Sequence, residues 1–329
     1  MGLPRMDYLL KLLNLEKHEF LVEEDNLSKL SDFISCSYFS LLKVKTGLNK
    51  SVKTAIFDRP RVVIAGRNGT QLLIFGSETD NSVEIKPLLT FLKSKGVELD
   101  RAKDQMLLSQ VEYNGVLLSS EGFQMSEAKR KTLREWKMPK DVADVRKFLT
   151  AYKPYEKFLP RASVAKVKLV NWRGDPCYPI NKKAFKRLRA MFEDDHHLSF
   201  FNPDAKLTII RTRMVENCGI SATLYQDGRV IWNITTMVNK DELRLLSDAE
   251  LHFCSIVYCI WTMKPLLNRL NSSQSAPLVV TSNKEAMAIC NEEVEPQEML
   301  KPLYEIYESI YCQLQYRADD WEPALPEPG

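Results

Sequence analysis

The run Ser221-Ala222-Thr223-Leu224-Tyr225-Gln226, then Asp227-Gly228, then Arg229-Val230-Ile231-Trp232-Asn233-Ile234-Thr235 alternates with a period of two on both sides of the Asp-Gly pair. Alternation around Asp-Gly predicts an antiparallel hairpin. Leu207 to Arg213 carries the same period and predicts a third strand ahead of it. Downstream, the spacing predicts a long helix from Asp248 to Leu270 and a short strand at Leu278–Thr281. A helix over Pro296–Tyr311 and a last strand at Gln313–Tyr316 follow. Three strands, helix, strand, helix, strand is an α/β (α+β) order with a mixed five-stranded sheet. The proline-rich tail from Trp321 to Gly329 is expected to be loose.

Toward the N terminus, Ser126 predicts a helix N-cap, with Lys129, Arg130 and Arg134 turned to solvent and Leu133 and Trp136 turned inward. A second helix is predicted from Val142 to Phe158, with Val145, Phe148, Leu149 and Tyr152 as its apolar stripe. Pro160 to Pro179 reads as a connector and Asn181 to His196 as a basic helix. Farther back, Val62–Ala65 and Leu72–Phe75 flank Asn68-Gly69, a hairpin-turn signal. Val83 to Lys95 reads as a helix closed by Gly96, and Gln105 to Ser120 as two strands broken near Asn114-Gly115. The first 60 residues are expected to be helical. Leu9, Leu10, Leu12, Leu13 and Leu15 form one stripe, and Leu27, Leu30, Phe33, Ile34 and Phe39 a second.

Composition narrows the class. Apolar residues at 44%, with 14 Phe, 12 Tyr and 5 Trp, exclude a disordered chain, and 12 Gly with 16 Pro exclude a collagen-like one. The longest apolar stretch, Ile256 to Met263, falls far short of the roughly 20 residues that cross a bilayer. No leader is read before Asp7, so an intracellular chain, nuclear or cytoplasmic and without a membrane partner, is expected. Seven cysteines without a Cys-x-x-Cys pair, and four histidines, give no clustered ligand set; no metal, cofactor or small-molecule substrate is expected. The net charge of +3 hides an asymmetry. Ser126–Arg189 carries 19 basic against 6 acidic residues, whereas Cys290–Gly329 carries 2 against 10. Different partners for the two surfaces, or two ordinary solvated faces, would both account for this.

Several motifs in order resemble one family. Val111-Glu112-Tyr113-Asn114-Gly115, Glu121-Gly122, Trp136, Pro139, Val145–Leu149 and Tyr155–Phe158 are similar to the palm-to-thumb passage of gypsy-type LTR retroelement reverse transcriptases. Leu72–Gly76 through Leu88, Leu92, Gly96, Leu99 and Lys103 fits the same palm. Asn171-Trp172 and Asn202-Pro203-Asp204 resemble the linker before the family's ribonuclease H domain, and Gly219–Leu224, Gln226-Asp227-Gly228, Leu246–Glu250 and Gln315-Tyr316-Arg317 resemble that domain. The resemblance implies a truncated fingers and palm remnant over 1–60 and a palm-like subdomain over 61–125. It then implies a basic helical thumb and connector over 126–198, a ribonuclease H-like domain over 199–318 and a tail over 319–329.

The family's chemistry needs carboxylates, because two Mg²⁺ ions must stabilise attacking and leaving oxygens. The resemblance places the Tyr-x-Asp-Asp turn on Asn68, Gly69, Thr70 and Gln71, so Thr70 and Gln71 stand where aspartates are expected. The segment for the first palm aspartate is read as missing. In the ribonuclease H region the four carboxylate positions fall on Arg213 or Met214, on Val257, on Ser282 or Asn283, and near Pro323. Glu216, Asp248, Glu250 and Glu322 are read as loop, helix N-terminal and tail charges. A pseudo-enzyme is expected.

Two roles follow. The first is a protein-interaction scaffold, with Glu292, Glu293, Glu295 and Glu298 on an acidic last helix as the partner-binding candidates. The second is a non-catalytic binder of RNA, DNA or RNA·DNA hybrid through Lys129, Arg130, Arg134, Lys137, Arg146, Lys147 and Lys153. A solvated helix pair accounts for the same basic residues.

Overall fold

The structure is a computed structural model. It describes residues 36–57, 59, 61–65, 69–113, 115–160, 162–170, 179–215, 219–237, 246–271, 276–295 and 297–323. The stripes expected over 9–34 lie outside these residues, as do Asn68, Asn171-Trp172, Glu216 and the end of the tail from Ala324. The chain divides into two units, one over Ser28–Lys129 and one whose described residues begin at Arg130.

The first unit is built on strands β1 (Tyr38–Lys43), β2 (Val62–Ala65), β3 (Gln71–Gly76) and β4 (Gln105–Leu108), in the order β2-β3-β1-β4. β1 is antiparallel to β3 from Tyr38↔Gly76 to Lys43↔Gln71. Phe39, expected on a helix, therefore lies in a strand, and it is fully buried. Aromatic and aliphatic residues in Tyr38-Phe39-Ser40-Leu41-Leu42 satisfy either periodicity over so short a run; pairing with β3 decides it. Helices α1 (Lys50–Phe57) and α2 (Glu78–Ser94) pack Val52, Ile56, Leu88 and Leu92 with Leu42, Leu72 and Ile74. Ser77 caps α2 with a reciprocal capping box to Asp80. Gly96, at φ +69, ends it with the Val97 N–H on the Leu92 carbonyl at 2.9 Å. Residues 105–120 form three strands rather than two: β4 is followed by β5 (Gln110–Tyr113) and β6 (Val116–Ser119), and β7 (Gly122–Met125) comes next, with β5, β6 and β7 an antiparallel meander.

The boundary between the units falls inside α3 (Glu127–Arg134). Ser126 precedes it, but its buried hydroxyl has no hydrogen-bond partner, so it is not a side-chain cap. In the second unit, α4 (Val142–Tyr152) is capped by Asp141 and runs on as a 3₁₀ turn over Lys153–Phe158. Pro154 has no N–H for an α-helical bond, which accounts for the tighter turn. The expected connector contains a helix, α5 (Ser163–Val170), and α6 (Pro179–Ala190) follows. Phe148 meets Trp136 at 5.7 Å, Tyr152 at 6.4 Å and Phe185 at 5.0 Å, and Tyr152 meets Phe192 at 6.2 Å. These rings join α4 to α6 and to the segment after α3.

After the short strand β8 (His197–Leu198) come β9 (Thr208–Val215), β10 (Gly219–Gln226) and β11 (Arg229–Met237). Asp227 and Gly228, at φ +48 and +79, form the two-residue turn that Asp-Gly predicts. The long helix α7 (Asp248–Leu267) leads to β12 (Leu278–Thr281), α8 (Lys284–Cys290), a 3₁₀ turn at Glu298–Leu300, α9 (Lys301–Glu308) and β13 (Gln313–Tyr316). The sheet order is β11-β10-β9-β12-β13, with β12 parallel to both β9 and β13. The mixed five-stranded sheet expected from the pattern is present, and α7 spans the crossover that a parallel β9–β12 pair needs. Lys166 links α5 to the rest of this unit through Glu156 at 2.5 Å and the Thr235 carbonyl at 3.3 Å.

Candidate functional site

Arg211 and Arg213 are two residues apart on β9 and so project from the same face of the sheet. Arg211 is fully buried, and its Nη2 donates to the carbonyls of Ala318 at 2.9 Å and Asp319 at 2.7 Å. Its guanidinium lies 5.5 Å from the centre of the Trp321 ring, and Arg317 approaches the same ring at 5.8 Å. Arg213 pairs with the carboxylate of Glu322, whose other oxygen accepts the Tyr225 hydroxyl at 2.6 Å. Trp321 packs on Ile209, Tyr225 and Val280. The segment 318–323 is therefore a strap laid over β9, β10 and β12, held by two arginines and one indole. It corrects two expectations: the start of the tail is packed, and Glu322 is an ion-pair partner rather than a free tail charge.

The four positions where carboxylates are expected are now placed. Arg213 is one end of the Arg213–Glu322 pair, and Pro323, which adjoins Glu322, is buried. Met214, paired with Ile220, projects from the face opposite Arg213 and is half-buried. Val257 is fully enclosed within α7. Ser282 follows β12, and the Asn283 side chain caps α8. Asp248 and Glu250 sit in the first turn of α7, where Glu250 completes a capping box with Ser247, as their reading as helix N-terminal charges requires. In the first unit Thr70 and Gln71 close the β2–β3 hairpin, Gln71 opposite Ala65, and β1 beside it carries no carboxylate. Strand β1, which precedes the hairpin in the chain, pairs with its second strand β3.

Burial holds the hydroxyls of Tyr225 and Tyr258 above the ordinary tyrosine range, Tyr225 with help from the Glu322 carboxylate and Tyr258 to about 12. Both keep their protons in the fold at pH values where the unfolded chain, with an ordinary value of 10.0, has lost them. Their contribution to stability is complete below pH 10 and is lost as pH rises above it. Denaturant midpoints should fall steadily above that pH, and tyrosinate absorbance from these two rings should appear only with unfolding. Absorbance that completes before any loss of structure would contradict this.

The basic candidates divide. Lys129 lies in the first unit, at the start of α3. Arg130 is turned to Asp195 at 3.1 Å and is largely covered, against its expected exposure, and Arg134 is half-buried. Lys137, Arg146, Lys147 and Lys153 are exposed. Arg146, Lys147 and Lys153 share one side of α4 and its 3₁₀ extension, opposite the core stripe of Val145, Phe148 and Tyr152. Trp136 and Tyr152 belong to the aromatic core and not to that side.

Glu292, Glu293, Glu295 and Glu298 are not on the last helix. The first three occupy the loop after α8 and Glu298 opens the 3₁₀ turn before α9. Glu292 has φ +60, which ends α8. All four are exposed. Glu292 accepts the Tyr304 hydroxyl at 3.0 Å, and Lys301 pairs with Glu298 at 2.6 Å and Glu295 at 3.4 Å. Tyr225, Trp321, Arg211 and the pairing role of Glu322 are not legible in the sequence; the signal available is Arg-x-Arg inside a strand otherwise made of Thr, Ile, Met and Val. No group of three or more His, Cys, Asp or Glu that could hold a metal forms among the described residues, and none of their helices is long and apolar enough to cross a membrane.

The fold is that of reverse transcriptase and ribonuclease H. A foamy viral protease-reverse transcriptase bound to double-stranded DNA superimposes over 91% of this chain and 60% of its own, with a TM-score of 0.66 at 10% identity. A second, bound to an RNA/DNA hybrid, gives 0.63 over 92% of this chain and 47% of its own at 10% identity. By sequence, the chain is similar to the Pol polyproteins of gypsy and related retrotransposons. The Pol polyprotein of transposon 297 of Drosophila melanogaster is 22% identical over 262 residues, 76% of this chain and 24% of that protein. That of transposon gypsy from the same organism is 25% identical over 219 residues, 62% of this chain and 21% of that protein. The chain thus spans about a quarter or less of the length of these relatives. No protein-family model matches it.

Proposed function

We propose that this chain is a catalytically inactive reverse transcriptase/ribonuclease H-like module that serves as a protein-interaction scaffold. The observation that carries the reading is the Arg213–Glu322–Tyr225 network. A guanidinium with its own carboxylate partner stands at one of the two positions, Arg213 or Met214, that the family resemblance allows for the first metal ligand, and two-metal hydrolysis needs carboxylates free to converge on the ions. Val257 and the Thr70-Gln71 turn support it. The exposed loop of Glu292, Glu293 and Glu295 is the docking surface. Incubating the full chain with a labelled RNA/DNA hybrid and millimolar Mg²⁺ should give no cleavage, and Mg²⁺ should not raise the unfolding temperature. Hybrid cleavage that follows the chain through purification would overturn the reading.

A second reading, non-catalytic nucleic-acid binding, is favoured by the exposed cationic side formed by Arg146, Lys147 and Lys153, with Lys137 also exposed. Filter binding of a hybrid duplex at two salt concentrations tests it. Each lost phosphate contact should flatten the slope of log affinity against log salt by about one unit. Changing Lys137, Arg146, Lys147 and Lys153 to Glu should weaken all sequences alike. A wild-type affinity with no salt slope would exclude this surface.

A further inference from the structure

Ile289 on α8, Val294 in the loop after it and Tyr304 on α9 line a groove of about 380 Å³, a volume within the usual range of ligand clefts. Its rim carries Glu292, Glu295 and Glu305. Val294 is 51% exposed, an apolar side chain left open beside three carboxylates. Among the described residues Glu292 and Glu305 have no ion-pair partner, while Lys301 is held between Glu295 and Glu298. That ammonium marks how a cationic side chain is accommodated here. The surrounding sequence, with 2 basic and 10 acidic residues over Cys290–Gly329, repels a nucleic-acid backbone and attracts a cationic ligand.

We propose that this groove receives a short basic segment of a partner protein. One aliphatic side chain of that segment rests on Ile289, Val294 and Tyr304, and flanking Lys or Arg side chains meet Glu292, Glu295 and Glu305. The proposal rests on the scaffold reading and gives that partner its chemistry: charge on the rim selects and steers, and the apolar contact supplies residence. The two can fail separately. Hybrid cleavage would remove the scaffold reading and leave the groove measurement intact, whereas loss of the groove leaves the absence of cleavage untouched.

The probe is a fluorescein-labelled peptide, Gly-Arg-Lys-Leu-Lys-Arg-Gly, titrated with the full chain by fluorescence anisotropy. Saturable binding that weakens with salt is expected. Glu292→Lys combined with Glu305→Lys should weaken it by about tenfold or more, as should Val294→Asp. Replacing the central Leu of the probe by Ser should weaken it comparably. Far-ultraviolet circular dichroism of each variant, matching that of the wild type, separates a lost contact from lost folding. Affinity unchanged by the double reversal would overturn the proposal, as would an equal loss from Glu121→Lys in the other unit. Self-association of the chain that the same reversals abolish would also overturn it, because a second copy would then fill the groove.

Discussion

Trp321→Ala should destabilise the larger unit by about 3 kcal/mol, the lower end of what truncating a large aromatic costs when its neighbours cannot collapse into the space. Trp321 covers Ile209, Tyr225 and Val280 and lies against two guanidiniums. Without it the carbonyls of Ala318 and Asp319 lose the packing that presents them to Arg211, whose buried Nε and Nη1 already lack hydrogen-bond partners. A charged group so placed is costly once the contacts that remain are weakened. For a unit of this size the midpoint should drop by roughly 6–12 °C. Trp261→Ala is the matched control, since that indole is partly exposed on α7 and faces Lys264 at 5.3 Å. Near-ultraviolet circular dichroism on heating reads both variants. Equal shifts would mean that the strap holds nothing in place.

Phe148→Ala should cost more, about 4–5 kcal/mol, the upper range for a fully buried ring. Phe148 has no exposed surface and touches the rings of Trp136, Tyr152 and Phe185 together. Each edge-on or stacked contact adds about 0.5–1.5 kcal/mol beyond area burial, and three end at once. Thermal unfolding of the variant should begin with loss of α4 and α6, reported by Trp136 fluorescence before the sheet melts. Phe148→Leu, which refills most of the volume, should recover more than half of the loss. A stability change within 1 kcal/mol for the alanine variant, against the order expected for an enclosed ring, would refute this packing.

What could be read from the chain alone follows from how local each signal is. Asp227-Gly228 dictates its turn by backbone sterics within two residues, so the β10–β11 hairpin and the period of its strands were legible. The helix of α7 was legible for the same reason, with Ser247 and Glu250 three residues apart at its start. Phe39 was misread because a strand of six residues bordered by apolar positions has no period of its own, and the partner that settles it, β3, lies more than thirty residues away. The acidic loop reads as helix because Glu292, Glu293 and Glu295 are reasonable helix formers; α8 ends where Glu292 turns to positive φ and its carboxylate accepts the Tyr304 hydroxyl, a contact twelve residues away. The strap was illegible for a stronger reason. Arg213 and Glu322 are 109 residues apart, and nothing in either neighbourhood announces the other.

That pairing bears on which sequences lie within reach. A chain given carboxylates one at a time would lose stability before it could hold a metal. Arg213→Asp sets a second anion against Glu322 and removes the cation that neutralised it, and Val257→Glu places an ionised group where no water reaches. Only several coordinated changes, with the strap moved aside, would bring carboxylates together there. The salt bridge between β9 and its strap therefore works as a latch: substitutions can rearrange the surface around it, but no single one puts an unpaired carboxylate there.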